Sequence, residues 1–507
     1  MKILKLLFSK WGLSVLLILL QLSIIGVAIT IGYEYFWIIQ FVTDVAGVVV
    51  FFLLINKDQN TDFKIPWLFL ILFVPVLGTL LYLMFGRNRM KKKDYKFLNE
   101  IFTNLGPHAE KAPTKEELEA FLGEKMAYEN YLQQASFSTG QLGNEVKYYP
   151  VGEKMWLDMI EALKGAREFI LMEYFIVDPG KMWDTLHEIL KQKAQEGVKV
   201  HFLYDDLGTM TMLPSGYYKT LRKEGIDAHK FNAVGPILTN VYNNRDHRKI
   251  MVVDGKVGFT GGINLGDEYI NENHRLGHWK DTGIRIVGPA VRSLMTHFFS
   301  TYGLASHEVL EYHRYYKNLP EKKDNGGYVH FFGAGPTPAY TEAPGEGNFI
   351  QMLASAKKSF WITTPYLIID YRFTMAIREA AMRGVDVRIV TPHIPDKKMV
   401  FCMTRSSYKS LRKAGVRIYE YTPGFIHAKM AVVDGEVAFV GTINMDFRSL
   451  THHYECGALL YRDPCIKDIV DDFHNIFEVS QEIDDKFKLS FPAKIVNGVL
   501  AVFRALF

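Results

Sequence analysis

The sequence predicts an α/β protein made of two copies of one domain, each a mixed β-sheet flanked by helices, preceded by transmembrane helices. Three observations predict it. The chain repeats itself at long range, each repeat reads helix, strand, helix, strand, and the first 90 residues hold apolar runs long enough to cross a bilayer. At 507 residues the chain exceeds one ordinary domain. Its 48% hydrophobic content is average, yet the apolar residues crowd between Trp11 and Phe85 while the remainder carries nearly all the charge. A net charge of +4, from 59 basic and 55 acidic residues, is too close to balance to indicate a nucleic-acid partner. Cys402, Cys456 and Cys465 make neither a disulfide framework nor a CxxC pair, so reduced thiols and a reducing compartment fit best.

Residues 1–90 form the membrane region. Trp11 to Gly32, Tyr35 to Ile55 and Ile65 to Phe85 are three candidate spans, because about 20 helical residues cross a hydrocarbon core of about 30 Å. Buried core helices are the alternative, but three such runs in close succession favour a membrane. Pro66 suits a first helical turn, while Pro75 and Gly78 fall inside the third run, where neighbouring helices can satisfy freed backbone groups. No small-residue cleavage site follows the first run, which argues against a signal peptide. Lys2, Lys5 and Lys10 precede the spans, and Arg87, Arg89, Lys91, Lys92 and Lys93 follow them. Three crossings place these clusters on opposite sides, so the larger one favours cytoplasmic catalytic domains, with either an outside amino terminus or a first segment that does not fully cross. Glu34 and Asp44 read as bundle-facing or interfacial acids.

Residues 91–140 are a polar linker in which Thr114 and Glu117 have capping-box spacing before a helix reaching about Gln134. The repeat follows, as a first domain over 141–325 and a second over 326–490. EALKGAREFILMEYFIVD from Glu161 parallels QMLASAKKSFWITTPYLIID from Gln351, and YKTLRKEGIDAHKF from Tyr218 parallels YKSLRKAGVRIYEY from Tyr408. Repeats of roughly 180 residues can each bury a core, and a period this long implies a pseudo-twofold pair of domains. A site at their joint would draw on both.

The strongest match is HRKIMVVDGKVGFTGGIN, His247 to Asn264, against HAKMAVVDGEVAFVGTIN, His427 to Asn444. In both, Lys stands two residues after His (Lys249, Lys429), Asp seven after (Asp254, Asp434) and Asn seventeen after (Asn264, Asn444). Strand alternation puts each His and Lys on one face, an imidazole beside a cation. Asp-Gly then supplies a turn, and the Asn stands in a Gly-containing loop from which it can bond an anionic oxygen.

These segments resemble the two HxKxxxxD motifs, each with its following G(G/S/T)xN, of the phospholipase D superfamily. Within it, the hairpin ending LLYLMFGR, the TPYLI stretch and the RSL segment are similar to the bacterial cardiolipin synthases, over nearly all of Ile65 to Phe507. GGIN and GTIN depart from the family's common Ser after the first Gly, which removes a hydroxyl near the phosphate. The resemblance implies two phospholipase D-like domains and a phosphatidyl transfer between two phosphatidylglycerol molecules, giving cardiolipin and glycerol. It implies no cofactor and no metal: one imidazole attacks phosphorus to form a phosphohistidine, the other protonates the leaving alcohol and deprotonates the incoming one. By that resemblance His247 is the nucleophile and His427 the acid/base, a choice the residues alone leave open. Lys249, Lys429, Asn264 and Asn444 would neutralise the phosphoryl oxygens.

The resemblance also gives Asp281 in HWKDT and Glu455 in HHYECG, 34 and 28 residues after the histidine of their own motif, the role of orienting the imidazoles. Asp254 and Asp434 then either brace their motifs or are plain Asp-Gly turn residues. His274, His278, Trp279, His452 and His453, together with Pro365, Tyr366, Arg448 and Ser449, are further residues near the expected pocket, each with a packing explanation as good as a functional one. The segment 491–507 places Ile495, Val499, Val502, Phe503 and Leu506 near one helical face, and it either lies at a membrane interface or packs on the catalytic domains. The expected setting is a bacterial cell membrane, with membrane lipids and phosphatidylglycerol as partners. Hydrolytic phospholipase D, phosphatidylserine-type synthase, membrane-tethered nuclease and non-catalytic scaffold are the rival readings.

Overall fold

A computed structural model describes residues 16, 19–27, 33–57, 60–86, 90–109, 112–234, 243–317, 320–323, 326–340 and 342–504. Most of the first expected span, 11–32, lies outside them, with 19–27 helical.

Among the described residues, fifteen strands join into one sheet that runs through both halves of the chain. From the centre outwards the first half contributes Gln141–Tyr149, Gly283–Val287, Val257–Gly261, Lys249–Val253, Phe169–Tyr174, Lys199–Asp205 and Asp227–Phe231. The second half repeats that order with Gly327–Ala334, Glu455–Tyr461, Val437–Gly441, Met430–Val433, Ser359–Thr363, Asp386–Pro392 and Arg417–Tyr421, and adds Ser480–Glu482 at its edge. Gln141–Tyr149 and Gly327–Ala334 pair antiparallel at the seam. The three outer strands of each repeat are parallel and the inner ones antiparallel, so the sheet is mixed.

Local sequence explains these elements. FILMEY at 169–174 is buried throughout, as a strand covered on both faces must be. Asp254 and Gly255 both have positive φ (53° and 65°), as do Asp434 and Gly435 (54° and 70°), and Lys256 and Glu436 each close the turn with an N–H bond of 2.9 Å to Val253 and Val433. This is the turn type whose twist suits a two-residue hairpin.

One sheet face is covered by Val291–Ser306, Cys465–Glu478 and the linker helix Lys92–Ala109, over a core drawn from both halves that includes Val252, Phe298, Met430 and Phe473. The other face carries two separate cores, one per half. In the linker, Thr114 and Glu117 form the reciprocal cap of Lys115–Leu122, a 3-10 turn at Gly123–Lys125 interrupts the expected helix, and Met126–Ser136 continues it. Glu129 on that last helix is fully buried against the seam, 2.7 Å from His330 and 2.6 Å from the Tyr328 hydroxyl.

The apolar region departs from three simple spans. Tyr33–Ile55 is one helix of 23 residues whose Phe41, Val45, Val48, Phe52 and Leu53 are exposed. The third expected span is two helices, Thr61–Phe73 and Pro75–Phe85, that fold back on each other. Pro75 lacks the N–H needed to continue the first helix and suits the start of the second. The rings of Trp67 and Tyr82 come within 5.7 Å, and a Cβ on Gly78 would stand 2.3 Å from the Leu70 carbonyl oxygen, so only glycine permits this approach. In a straight helix residues 67 and 82 would be about 22 Å apart. With the side chains of 33–36 and 39 outside the description, no helix is long and apolar enough over its described residues to cross a membrane.

Phe491–Val502 is a helix that buries Asn497 and Leu500 and exposes Phe491, Ile495, Val496 and Val499. It packs beside Lys398–Arg412, and Arg504 pairs with Asp62 at the start of the folded-back hairpin.

Candidate active site

Each motif histidine is held by the opposite half of the chain. The His247 N–H donates to the Tyr454 carbonyl at 2.8 Å, and the Tyr454 N–H donates to Arg245 at 2.8 Å. Likewise the His427 N–H donates to the Lys280 carbonyl at 2.7 Å, where Gly424–Ile426 runs parallel to His278–Lys280. The side chains follow the same crossing. His247 Nδ1 lies 3.0 Å from Glu455 Oε2, and His427 Nδ1 lies 2.6 Å from Asp281 Oδ2. The sequence groups each acid with the motif upstream of it; the structure exchanges them, because the stretch just before Asp281 pairs with the stretch just before His427, and Tyr454 beside Glu455 bridges to Asp246 beside His247. With both Nδ1 atoms engaged, Nε2 is the ring atom left to a ligand.

Both imidazoles line one pocket of about 770 Å³, together with Asn264, Asn444, Tyr269 and Arg448. Phe175 packs edge-on to His247 at 4.9 Å, and Trp279 lies 5.3 Å from His427. Lys249 and Lys429 are buried and donate from Nζ to the backbone oxygens of His247 and His427. The two asparagines differ: Asn264 accepts from the Ile176 N–H at 3.1 Å and donates to the Tyr269 hydroxyl at 2.8 Å, whereas Asn444 Oδ1 is buried without a hydrogen-bond partner.

Asp254 and Asp434 stand away from this pocket. Asp254 accepts from the N–H groups of Arg167, Glu168 and Phe169, and Asp434 from those of Lys357, Lys358 and Ser359, all between 2.7 and 3.2 Å. Each carboxylate ties its hairpin turn to the start of the neighbouring strand, and neither approaches a histidine.

Burial, reinforced by the adjacent lysines, pushes the His247 imidazolium far below its ordinary range and His427 down to about 4. Burial also brings Lys249 down to about 8 and Lys429 to about 7. For Asp281 burial acts upward, but His427 and Lys429 outweigh it and hold the carboxyl below its usual value. Burial therefore suppresses positive charge at the site that an entering anion would favour.

The Gly-containing loops reveal a compensation. The Thr442 hydroxyl donates to Glu455, so the hydroxyl expected to be missing near the phosphate is present one layer back, serving the acid. At the matching position a Cβ on Gly262 would fall 2.1 Å from Asp281 Oδ1; the carboxylate occupies that space. Ser449 donates to Glu455 Oε1 at 2.5 Å and so is turned away from the pocket that Arg448 lines. Among the described residues one group could offer a metal three ligand atoms, His247, His453 and Glu455, within 4.8 Å of one another. Those Glu455 oxygens already accept from Thr442, Ser449 and His247.

His453, Trp279 and Tyr366 reach the pocket. His452 packs 5.0 Å from Phe63, and His278 contacts the Tyr421 hydroxyl at 2.9 Å. Tyr269, Glu268, Asp396 and Lys397 also line the pocket and were not singled out from sequence: Glu268 and Tyr269 stand in the short helix Asp267–Ile270, at the positions that Arg448 and Ser449 hold in the other repeat but with different residue types, and Asp396 and Lys397 stand in a loop. Asp205 belongs with them: buried, it takes the Arg245 guanidinium at 2.7 Å and the Asp246 N–H at 2.9 Å, fixing the approach to His247.

The family model described as cardiolipin synthase, phospholipase D-like domain, matches residues 159–287 and 349–478, the two halves that meet at this pocket. The chain belongs to the cardiolipin synthase family. A second model, of the phospholipase D-nuclease amino-terminal region, matches residues 45–87. The cardiolipin synthase of Halalkalibacterium halodurans is 35% identical over 483 residues, covering 94% of this chain and 95% of that one. The cardiolipin synthase of Alkalihalophilus pseudofirmus is 35% identical over 442 residues, covering 86% of each chain. The crystal structure of phosphatidylserine synthase from Haemophilus influenzae Rd KW20 shares the fold at a TM-score of 0.55 and 14% identity, covering 75% of this chain and all of that one. The family assignment and the mixed α/β architecture thus agree with the expectation from sequence.

Proposed function

We propose that this protein is a cardiolipin synthase that moves a phosphatidyl group from one phosphatidylglycerol to another and releases glycerol. One observation carries the reading: two imidazoles share a pocket, each with Nδ1 fixed by a buried acid from the opposite half. That arrangement suits double displacement at one phosphodiester. His247 Nε2 attacks phosphorus; its bond forms as the bond to the glycerol oxygen breaks, and His427 gives that oxygen its proton. The terminal hydroxyl of the second lipid then attacks phosphorus, the P–N bond breaks, and His427 takes the hydroxyl proton. Asp281 and Glu455 orient and stabilise the cationic imidazoles. Lys249, Lys429 and Asn444 face the developing phosphoryl charge, Asn264 shapes the wall beside Tyr269, and Asp254 and Asp434 brace the hairpins. The assignment of His247 as nucleophile rests on family resemblance.

The test is purified protein in phosphatidylglycerol vesicles, with lipid products read by mass spectrometry. Cardiolipin with equimolar glycerol supports the reading; phosphatidic acid alone makes water the acceptor and overturns it.

The same reading places the apolar region in the bilayer. The arms of the folded-back hairpin have 13 and 11 residues. At about 20 and 16 Å each is shorter than a core of about 30 Å, so the pair enters and returns. Two crossings followed by such a hairpin bring Lys2, Lys5 and Lys10 to the same side as Arg87 and Lys91–Lys93, which removes the conflict left by three crossings and puts the catalytic halves in the cytoplasm. With Cys402, Cys456 and Cys465 replaced by Ser, Lys5→Cys and Lys92→Cys proteins in sealed inverted vesicles should both react with an impermeant maleimide; labelling of one alone overturns this topology.

A further inference from the structure

The proposed reaction, on which this inference rests, brings two phosphodiesters to one pocket. The phosphodiester under attack meets His247, His427, Lys249 and Lys429. The acceptor lipid keeps its own, one glycerol bridge away, and burying that charge without a partner is unfavourable. A second cation is required.

Arg448 has the right surroundings. Its side chain lines the pocket and makes no ion pair among the described residues, whereas neighbouring Arg245 is engaged by Asp205 at 2.7 Å. Asp446 acts on Arg448 through space without reaching ion-pair distance, and one of its oxygens, Oδ1, accepts the Ser449 N–H at 2.9 Å. Lys397, also in the wall, is held 3.7 Å from Asp396. The residues flanking Arg448 fix its place relative to the apolar hairpin: the ring of Phe447 lies 5.4 Å, and that of His452 5.0 Å, from Phe63 on Thr61–Phe73. Arg448 thus belongs to a short helix that packs against Thr61–Phe73, while its side chain lines the pocket shared by the paired histidines. A planar guanidinium can hold a phosphodiester through two parallel hydrogen bonds.

We propose that Arg448 anchors an acceptor subsite, binding the phosphodiester that the second phosphatidylglycerol retains and so selecting an anionic lipid alcohol over water or free glycerol. The covalent step is unchanged: the P–Nε2 bond to His247 breaks as the lipid's terminal hydroxyl bonds phosphorus, and its proton passes to His427. Arg448 acts on which alcohol is present.

Two acceptors compete in the test. Vesicles of phosphatidylglycerol receive isotopically labelled glycerol; attack by glycerol regenerates labelled phosphatidylglycerol, and attack by lipid gives cardiolipin. In Arg448→Ala and Arg448→Gln the ratio of cardiolipin to labelled phosphatidylglycerol should fall tenfold or more, with partial recovery in Arg448→Lys. The ratio is read within one sample of protein that elutes and melts like the wild type, and three substitutions give three opportunities for a folded variant. A ratio within twofold of wild type, or equal loss of both products, overturns the subsite. Wild-type protein that makes neither product overturns the proposed reaction instead, so the two failures are distinct.

Discussion

His427 and Asp281, 146 positions apart and in opposite halves of the chain, meet at 2.6 Å, and this contact makes the halves chemically interdependent. The equivalent pair, His247 and Glu455, meets at 3.0 Å. Each acid is fully buried and each imidazole nearly so, which fixes ring orientation and determines which nitrogen faces the pocket.

Replacing Asp281 by Asn keeps the size and removes the charge that steadies a protonated His427. The expected loss in kcat is roughly 10²- to 10⁴-fold, with the fold retained, as for an orienting acid. Glu455→Gln should behave alike. Cardiolipin formation within twofold of wild type in either variant would sink the orienting role.

Gly262→Ala should damage catalysis without touching a reacting group. Its Cβ would stand 2.1 Å from Asp281 Oδ1, so the acid must move away from His427. Overpacking of this kind destabilises by about 1–3 kcal/mol. Calorimetry and turnover together check it: the unfolding temperature should fall modestly and kcat steeply, while an unaffected kcat would show that Asp281 has room to yield.

The lysines predict an alkaline limb. Burial brings Lys429 to about 7 and Lys249 to about 8, so raising the pH through this range removes the positive charge that meets the phosphodiester. Affinity is lost as pH rises, and kcat/KM should approach a decline of about tenfold per pH unit for one essential proton, carried mainly by KM. Lys429→Arg keeps its charge and should push the limb to higher pH. A limb identical in wild type and variant would assign it to another group.

Asp254 and Asp434 should behave as braces. Removing a carboxylate that accepts three backbone N–H bonds deprives donors that are part-buried around Asp254 and more exposed around Asp434, at a cost of about 1–3 kcal/mol. Asp434→Ala should lower the denaturation midpoint while the folded fraction retains kcat within a fewfold. A loss of kcat comparable to that of Asp281→Asn would return Asp434 to the chemistry.

The repeat and the mixed sheet were legible because strand alternation is a local property of the chain, and the His-Lys-Asp-Asn spacing singled out His247, Lys249, Asp254, Asn264 and their four counterparts, whereas Asp281 and Glu455 were named only through the family resemblance. The crossing of Asp281 and Glu455 was not, since sequence order suggests that each acid serves its own motif and only the seam reveals the exchange. The turn at Val74 was hidden for a related reason: hydropathy reports how apolar Ile65 to Phe85 is, and says nothing of whether a helix continues through Pro75 or doubles back. Asp205 and Lys397 gave no signal because neither has a like residue at the matching place in the other half of the repeat.

The antiparallel seam between Gln141–Tyr149 and Gly327–Ala334 has a mechanical consequence. Enzymes with sites between domains commonly admit substrate by swinging the domains apart about a hinge. Here a shared hydrogen-bond ladder and a common core lock the halves as one body, and opening the cleft would mean tearing the sheet. Substrate and product would then pass through the mouth of the pocket without the halves parting, one headgroup threading in as another leaves.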